Sequence, residues 1–219
     1  MKRLVIAIDG PSGAGKGTVA RALSQHLGYR HVDTGAMYRA VAWKALRDRA
    51  PLDDEARVAA IAERTGIIVE GGVVRIDGHD VARAIRTPDI DKAASAVARL
   101  PAVRAALVAR QQALGAGGGV VMEGRDIGTV VFPDADLKIY LDASADERAR
   151  RRANDAAHGS GGTTQAAVAA AIDARDRSDT TRTASPLTLA PDAVLIDTTN
   201  LSIAAVVSRV RALVAEKLR

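Results

Sequence analysis

Short runs of aliphatic residues alternate along the chain with longer segments in which apolar residues recur every three or four positions. The clearest run is residues 4–8, and further strands are predicted at 30–33, 120–122, 137–141 and 193–196. Uninterrupted aliphatic runs are typical of strands buried on both faces, and a period of about 3.6 residues is typical of amphipathic helices. The pattern therefore predicts an α/β fold with a parallel sheet covered by helices on both faces.

Turn and capping residues mark the ends of several predicted helices. Gly28 suits a C-cap, and Asp53 or Asp54 suits an N-cap. Ser144 and Glu147 have the spacing of a capping box. The predicted helices span residues 18–27, 36–48, 53–64, 101–113, 144–157, 165–176 and 202–217.

One segment departs from the alternation of strands and helices. Residues 67–70 and 73–77 flank a Gly-Gly pair, which suits a tight turn with positive φ and so predicts a β-hairpin. A hairpin does not belong to a series of β-α-β crossovers, so we expect residues 66–97 to form an inserted lobe. Residues 158–164, rich in Gly, Ser and Thr, are expected to form a flexible tip.

The length of 219 residues suits one sizeable α/β domain with a small inserted lobe and is short for two independent domains. Cysteine is absent, which excludes disulfides, thiolate catalysis and cysteine-ligated zinc. No apolar run approaches the roughly 20 residues of a membrane-spanning helix, and none suits a secretory signal. We expect a cytoplasmic protein without a membrane partner.

Arginine dominates the positive charge of the chain. The net charge is +5, and 25 of the 31 basic residues are arginine. A basic chain raises the question of nucleic-acid binding, but one Phe, one Trp and three Tyr cannot form a base-stacking platform. We therefore expect no nucleic-acid partner. The arginine excess has two interpretations, a biased composition and the binding of phosphate by planar guanidinium groups.

The strongest chemical signal directly follows the first predicted strand. The pattern G-x-x-x-x-G-K is met by Gly10, Gly15 and Lys16. Glycines let consecutive backbone N–H groups face a phosphate, the next helix adds its positive end, and the lysine adds a point charge. The position between a buried strand and a helix is the expected context of a triphosphate site. The residues assigned to this site are Gly10, Pro11, Ser12, Gly13, Ala14, Gly15, Lys16, Gly17 and Thr18.

The loop departs from the common pattern at the position after the lysine. This position usually carries a Ser or Thr that reaches Mg²⁺, but here it is Gly17. Thr18 is then expected to touch a phosphate oxygen, and the metal to be held mainly through water. The metal ligand is unknown, and the carboxylate that supports the ion stays open between Asp33, Glu123 and Asp126.

The charged residues indicate which class of triphosphate-binding protein is present. No guanine-reading N-K-x-D segment occurs, which argues against a GTPase. A kinase that acts on a nucleoside monophosphate needs no general base, because that phosphate, with a second pKa of about 6, is already anionic. Such a kinase needs cations that bring two anions together. The candidates are Arg39, Arg125, Arg148, Arg150, Arg151, Arg152, Arg175, Arg177 and Arg182, with Arg125 favoured because it follows a core strand.

Four sequence blocks resemble those of the bacterial cytidylate kinases. They are residues 9–18, 33–39, 123–135 and 175–187, and the third, which begins Glu-Gly-Arg-Asp, is the most specific. The resemblance covers nearly the whole chain and implies a P-loop NTPase fold of three layers, α/β/α, in a single kinase domain. The implied parts are a core at about 1–65, 98–145 and 185–219, a monophosphate-binding lobe at about 66–97 and a mobile lid at about 146–184.

The resemblance also implies the reaction and its residues. It implies a monomer that phosphorylates CMP and dCMP with ATP and Mg²⁺. Lys16, Arg125 and Arg182 are the implied catalytic residues, and Arg182 faces the phosphates. The residues implied to bind the acceptor are Arg39 and Arg125 at its phosphate, Ser95, Arg104 and Asp126 around the cytosine, Thr34 beside the nucleotide, and Arg175 and Asp179 near its sugar.

The chemistry of cytosine agrees with an acidic residue at position 126. The carboxylate of Asp126 can accept from the N4 amino group, and an arginine can donate to N3 or O2, whereas uracil would present an acceptor to the carboxylate. Two other functions stay open at this point. One is a small P-loop kinase with a different acceptor, and the other is an ATP-gated nucleic-acid-binding module.

Overall fold

The computed structural model describes residues 2–155 and 164–218. Within these residues, a parallel sheet has the strand order β2-β6-β1-β7-β8. Its strands are β1 Val5–Asp9, β2 Arg30–Asp33, β6 Val120–Glu123, β7 Leu137–Asp142 and β8 Val194–Asp197. The predicted parallel sheet is confirmed, and each strand lies within one or two residues of its predicted bounds.

Helices cover both faces of this sheet. They are α1 Lys16–Leu27, α2 Thr34–Arg47, α3 Glu55–Arg64, α4 Pro88–Val97, α5 Pro101–Gly115, α6 Ala145–Ala153, α7 Gln165–Thr181 and α8 Ile203–Lys217. Ile6 and Ile8 of β1 pack in a core with Leu23 of α1 and Val210 of α8, whereas Ala7 faces a second core beside α5. Burial on both faces explains why β1 is a continuous aliphatic run.

The strand register aligns the chemistry-bearing residues at one edge of the sheet. Ile8 pairs with Glu123 across β1 and β6, and Asp33 pairs with Glu123 across β2 and β6. The carboxyl ends of these strands therefore meet where the glycine-rich loop leaves β1. Ligands in open α/β sheets bind at such an edge.

The predicted hairpin is confirmed as part of a small antiparallel sheet. Its strands are β3 Ile67–Glu70, β4 Val73–Ile76 and β5 His79–Asp80, in the order β3-β4-β5. The turn residues Gly71 and Gly72 have φ values of 59° and 88°, which only glycine adopts at low cost.

Helix α4 was not predicted, although its sequence carries a start signal. Thr87 caps the helix by accepting from the backbone N–H of Ile90 at 3.3 Å, and Pro88 occupies the first turn. Ile90, Ala93 and other apolar residues of this helix are buried in the core that includes α2. The segment is only ten residues long, so its helical period is hard to distinguish from a loop.

Helices α6 and α7 differ from the predicted bounds. α6 ends at Ala153 rather than at 157, and α7 continues to Thr181 rather than to 176. The extension was missed because its polar residues suggested an irregular stretch, yet Asp179 is buried on the face that lines the cleft. Most of the predicted flexible tip, residues 158–163, lies outside the described residues.

A π-helical turn at Ile127–Val131 was also not predicted. It follows Asp126 directly, and its residues Ile127 and Val131 are buried beneath β1 and β6. In residues 2–155 and 164–218, no helix combines the length and apolar character needed to cross a membrane.

Candidate active site

The glycine-rich loop between β1 and α1 leaves the first turn of α1 open to an anion. Gly15 is the N-cap residue, with φ of 92°, and no side chain caps the helix. A Cβ atom at Gly10 would lie 2.0 Å from the carbonyl oxygen of Leu141, so the loop passes too close to β7 for any side chain there. Backbone N–H groups at such a helix start bind anions.

Lys16 is buried at the base of the loop. Its Nζ donates to the carbonyl oxygen of Pro11 at 2.7 Å. Burial, together with the positive charge of Arg125, lowers the pKa of Lys16 to about 7. A negatively charged ligand at the loop would reverse this effect and favour the protonated lysine.

Glu123 is the candidate carboxylate that lies beside the loop. A Cβ atom at Gly17 would be 3.1 Å from Glu123 Oε1, so the missing side chain at position 17 leaves space next to this carboxylate. His31 Nε2 lies 3.0 Å from the same oxygen. The other two candidates are held elsewhere: Asp33 pairs with Arg86 at 3.2 Å, and Asp126 pairs with Arg104. The oxygen donors at this position suit Mg²⁺.

An open cleft of about 1430 Å³ runs from the loop past the inserted lobe to α6 and α7. Every sequence-predicted acceptor residue lines it, and so does the loop from Ser12 to Thr18. The predicted residues along its walls are Thr34, Arg39, Ser95, Arg104, Arg125, Asp126, Arg175, Asp179 and Arg182.

Guanidinium groups from separate elements meet in the middle of the cleft. Arg125 Nε donates to Asp179 Oδ2 at 2.8 Å, and Arg39 Nε donates to Asp91 Oδ1 at 2.9 Å. Burial and the neighbouring charges of Arg39 and Arg125 lower the pKa of Arg175 to about 10. The carboxylates of Asp91 and Asp179 act in the opposite direction, so Arg175 lies among both like and opposite charges.

Asp126 and two arginines form a second charged group in the cleft. Arg104 pairs with Asp126, and the Arg104 guanidinium lies 5.4 Å from the centre of the Tyr38 ring. Arg182 Nη2 lies 3.6 Å from Asp126 Oδ1, and Arg182 Nη1 lies 3.7 Å from Asp179. Arg104 is 3% exposed, although its sequence position suggests an ordinary helix surface.

Two predicted residues have local contacts that bear on their roles. Thr34 Oγ1 donates to the backbone oxygen of Glu123 at 2.7 Å, which ties the start of α2 to the end of β6. Ser95 Oγ donates to the backbone oxygen of Asp91 at 3.1 Å. Both side chains border the cleft, so their hydroxyl groups are within its walls.

The comparisons with known proteins identify the family. A sequence model of the cytidylate kinases matches residues 6–216. The chain belongs to the cytidylate kinase family. The cytidylate kinase of Desulfitobacterium hafniense (strain Y51) is 49% identical over 220 residues, which cover 99% of this chain and 95% of the relative. That of Pelotomaculum thermopropionicum (strain DSM 13744 / JCM 10971 / SI) is 51% identical over 215 residues, covering 96% of this chain and 95% of the relative.

A solved structure gives a weaker match. Shikimate kinase from Acinetobacter baumannii in complex with shikimate aligns over 98% of this chain and 94% of its own. The identity is 15% and the TM-score 0.46, values too low to bear on activity.

In this member of the cytidylate kinase family, α6 and α7 contact the glycine-rich loop through Arg148 and Asp176. Asp176 Oδ1 accepts from the backbone N–H of Ser12 at 3.1 Å, and Arg148 Nη1 donates to the backbone oxygen of Ser12 at 3.1 Å. Arg151 binds Thr198, whereas Arg150 is 61% exposed and pairs with Glu147. The basic cluster on α6 is therefore divided between the loop, the cleft and solvent.

Asp9 connects the start of the glycine-rich loop to the segment that follows Asp126. Its carboxylate accepts from the backbone N–H groups of Ile127 at 2.9 Å and Gly128 at 2.7 Å. Asp9 thereby fixes the π-helical turn that follows Arg125 and Asp126. Burial raises the pKa of Asp9 to about 6. The sequence could have indicated a role for Asp9, because it ends a buried strand directly before the loop. A buried acidic residue at such a position needs a hydrogen-bond partner.

The lowered pKa of Lys16 predicts proton uptake when a nucleotide binds. At pH 8 the amine is largely neutral, whereas ADP is fully ionised and should restore the ammonium form. Titration calorimetry of ADP in buffers of different ionisation enthalpy should show uptake of about one proton per site. Lys16→Arg stays protonated and should bind without uptake, and a buffer-independent enthalpy for the unaltered protein would contradict the assignment.

Asp9→Asn should impair the acceptor side more than the donor side. The amide has one carbonyl oxygen for two backbone donors, so one buried N–H loses its acceptor, at about 1–3 kcal/mol. We expect kcat/KM for CMP to fall roughly 5- to 150-fold, with ADP affinity nearly unchanged. Asp197→Asn is the control, because Asp197 also ends a strand and accepts a backbone N–H but is exposed. Equal effects on CMP and ADP would refute the positioning role.

Proposed function

We propose that the chain transfers the γ-phosphoryl group of ATP to CMP and dCMP, forming CDP and dCDP, with Mg²⁺ as the metal. Kinase relatives imply the use of ATP and a small nucleotide substrate. The observation that carries the proposal is that Arg39, Arg125 and Arg175 line the same cleft as Lys16 of the glycine-rich loop.

The donor is proposed to bind at the glycine-rich loop. Backbone N–H groups from Gly13 to Thr18 and the start of α1 would hold the β- and γ-phosphates. Lys16 would follow the transferring group as an ammonium ion. Thr18 is exposed in the cleft, as contact with a phosphate oxygen requires.

Glu123 is proposed to support the metal ion. Its carboxylate lies beside Gly17, the position at which a hydroxyl group is missing, and His31 orients it. Mg²⁺ would neutralise charge on the donor phosphates when it is bound. The chain's own part is then to hold this oxygen donor in place through His31 and the strand pairing of β2 with β6.

The acceptor phosphate is proposed to bind at Arg39 and Arg125, with Arg175 close to it. The phosphate of CMP is already anionic at neutral pH, so no general base is needed. The barrier comes instead from bringing two anions into line and from charge on the transferring group. Arg125 and Arg182 would reduce this barrier as catalytic cations, and closure of the lid over the cleft would exclude water.

Cytosine is proposed to be recognised by Asp126, Arg104 and Ser95. Asp126 accepts from N4, and Arg104 donates to N3 or O2. Because Arg104 is buried and already paired with Asp126, little freedom is lost when the base binds. Thr34 and Asp179 would contact the rest of the nucleotide.

The proposed organisation is a single kinase domain with a core, a monophosphate-binding lobe at about 66–97 and a lid at about 146–184. We propose that it acts as a cytoplasmic monomer without a nucleic-acid partner. The small antiparallel sheet and α4 support the lobe, and contacts of α6 and α7 with Ser12 support the lid.

An acceptor panel tests the proposed substrate. Release of ADP from ATP and Mg²⁺ should be fastest with CMP and dCMP, and slower with UMP, AMP and small metabolites that carry a hydroxyl group. A different preferred acceptor would identify another small P-loop kinase. The absence of release with both cytidine nucleotides would refute the proposal.

Asp126→Asn should narrow the preference for CMP over UMP. The amide can donate to O4 of uracil as well as accept, so the penalty of about 1–3 kcal/mol for an unpaired group is reduced. The ratio of kcat/KM for CMP to that for UMP should fall roughly 5- to 150-fold. Asp134→Asn, at an exposed position, is the control. An unchanged ratio would reject Asp126 as the base-reading residue.

A further inference from the structure

Asp91 in the first turn of α4 gathers arginines from three other elements. Arg39 of α2 donates from Nε to Asp91 Oδ1 at 2.9 Å, and Arg175 of α7 donates from Nη1 to the same oxygen at 3.4 Å. Arg152 of α6 pairs with the other oxygen. One carboxylate of the inserted lobe therefore contacts guanidinium groups that belong both to the acceptor site and to the lid.

Among the described residues, Asp91 contacts more arginines than any other carboxylate, although Asp33, Asp155 and Asp179 act on the same guanidinium groups. Three guanidinium groups surround one carboxylate, and each of these side chains is less than one-fifth exposed. Burial alone would raise the pKa of Asp91, but the charges of Arg39, Arg175 and Arg152 hold it far below its ordinary value. The carboxylate is therefore ionised throughout the physiological range.

We propose that Asp91 is an internal counter-anion that competes with the phosphate of the acceptor for Arg39 and Arg175. The inference rests on the proposed placement of that phosphate at Arg39 and Arg125. A phosphate dianion carries more charge and more acceptor oxygens than a carboxylate, so it displaces Asp91 from these guanidinium groups. Cytidine, which lacks the phosphate, cannot displace Asp91.

The Asp91 carboxylate is not needed to attach α4 to the fold. Ile90, Ala93, Ala94 and Val97 on this helix are buried in the core that includes α2, and Thr87 caps the helix. These contacts hold α4 whether or not residue 91 is charged. The effect of Asp91 is therefore expected on ligand affinity, where it opposes the approach of a second anion.

Binding of CMP and of cytidine to Asp91→Asn tests the competition. Loss of one negative charge beside the phosphate should tighten CMP binding about tenfold or more. The affinity for cytidine should stay within about twofold, because no phosphate is involved. Asp89→Asn is the matched control, since Asp89 lies in the same helical turn and is exposed. It should change neither affinity.

The same calorimetric titrations separate this inference from the proposed placement of the phosphate. Arg39→Gln should weaken CMP but not cytidine. If Arg39→Gln leaves CMP affinity unchanged, the placement is wrong and the competition fails with it. If Arg39→Gln weakens CMP while Asp91→Asn leaves CMP binding unchanged or weaker, only the competition is refuted.

A second variant and a second measurement test the proposal if Asp91→Asn folds poorly. Inorganic phosphate supplies the dianion without the nucleoside, and Asp91→Ser removes the charge with a smaller side chain. Phosphate at a fixed concentration should raise the Tm of either variant by more than it raises the Tm of the unaltered protein or of Asp89→Asn. An equal or smaller rise would overturn the proposal.

Discussion

Arginine side chains are held close together in the cleft, although their like charges repel and burial removes the water that would screen them. Desolvation disfavours each buried charge, so such a cluster persists only with carboxylates distributed among the guanidinium groups. Asp91, Asp126 and Asp179 have this position, and each contacts at least two arginines. The site is thus a cluster of cations that carboxylates partly neutralise. Because each carboxylate is shared between arginines, the cluster can attract a further anion.

The edge of the sheet brings together the residues proposed to bind the donor and the acceptor. β1 ends at Asp9, where the chain continues into the phosphate-binding loop while the Asp9 carboxylate holds the π-helical turn after Asp126. β6 ends at Glu123, beside Gly17, and leads directly into Arg125. The residues proposed to bind the donor and the acceptor therefore follow neighbouring strands of one sheet. Rigid placement of this kind is what in-line phosphoryl transfer requires.

Features that depend on neighbouring residues in the sequence were predictable. Contacts between side chains from distant parts of the chain were not. The loop around Gly15 and Lys16, the strands and the hairpin follow from glycine positions and hydrophobic periods. Asp91 could not be recognised as part of the site, because its contacts are with three arginines that lie 52, 61 and 84 residues away in the sequence. The position of Arg104 in a predicted helix suggested a surface residue. The helical period does not reveal that this charged side chain is buried against a carboxylate.

The crystal structure of the protein with CMP alone would test the proposed acceptor site most directly. The phosphate is expected at hydrogen-bond distance from Arg39 and Arg125, and the N4 amino group of cytosine at the carboxylate of Asp126. A nucleotide with its phosphate in the loop at Gly13 to Lys16, or with its base away from Asp126, would contradict it.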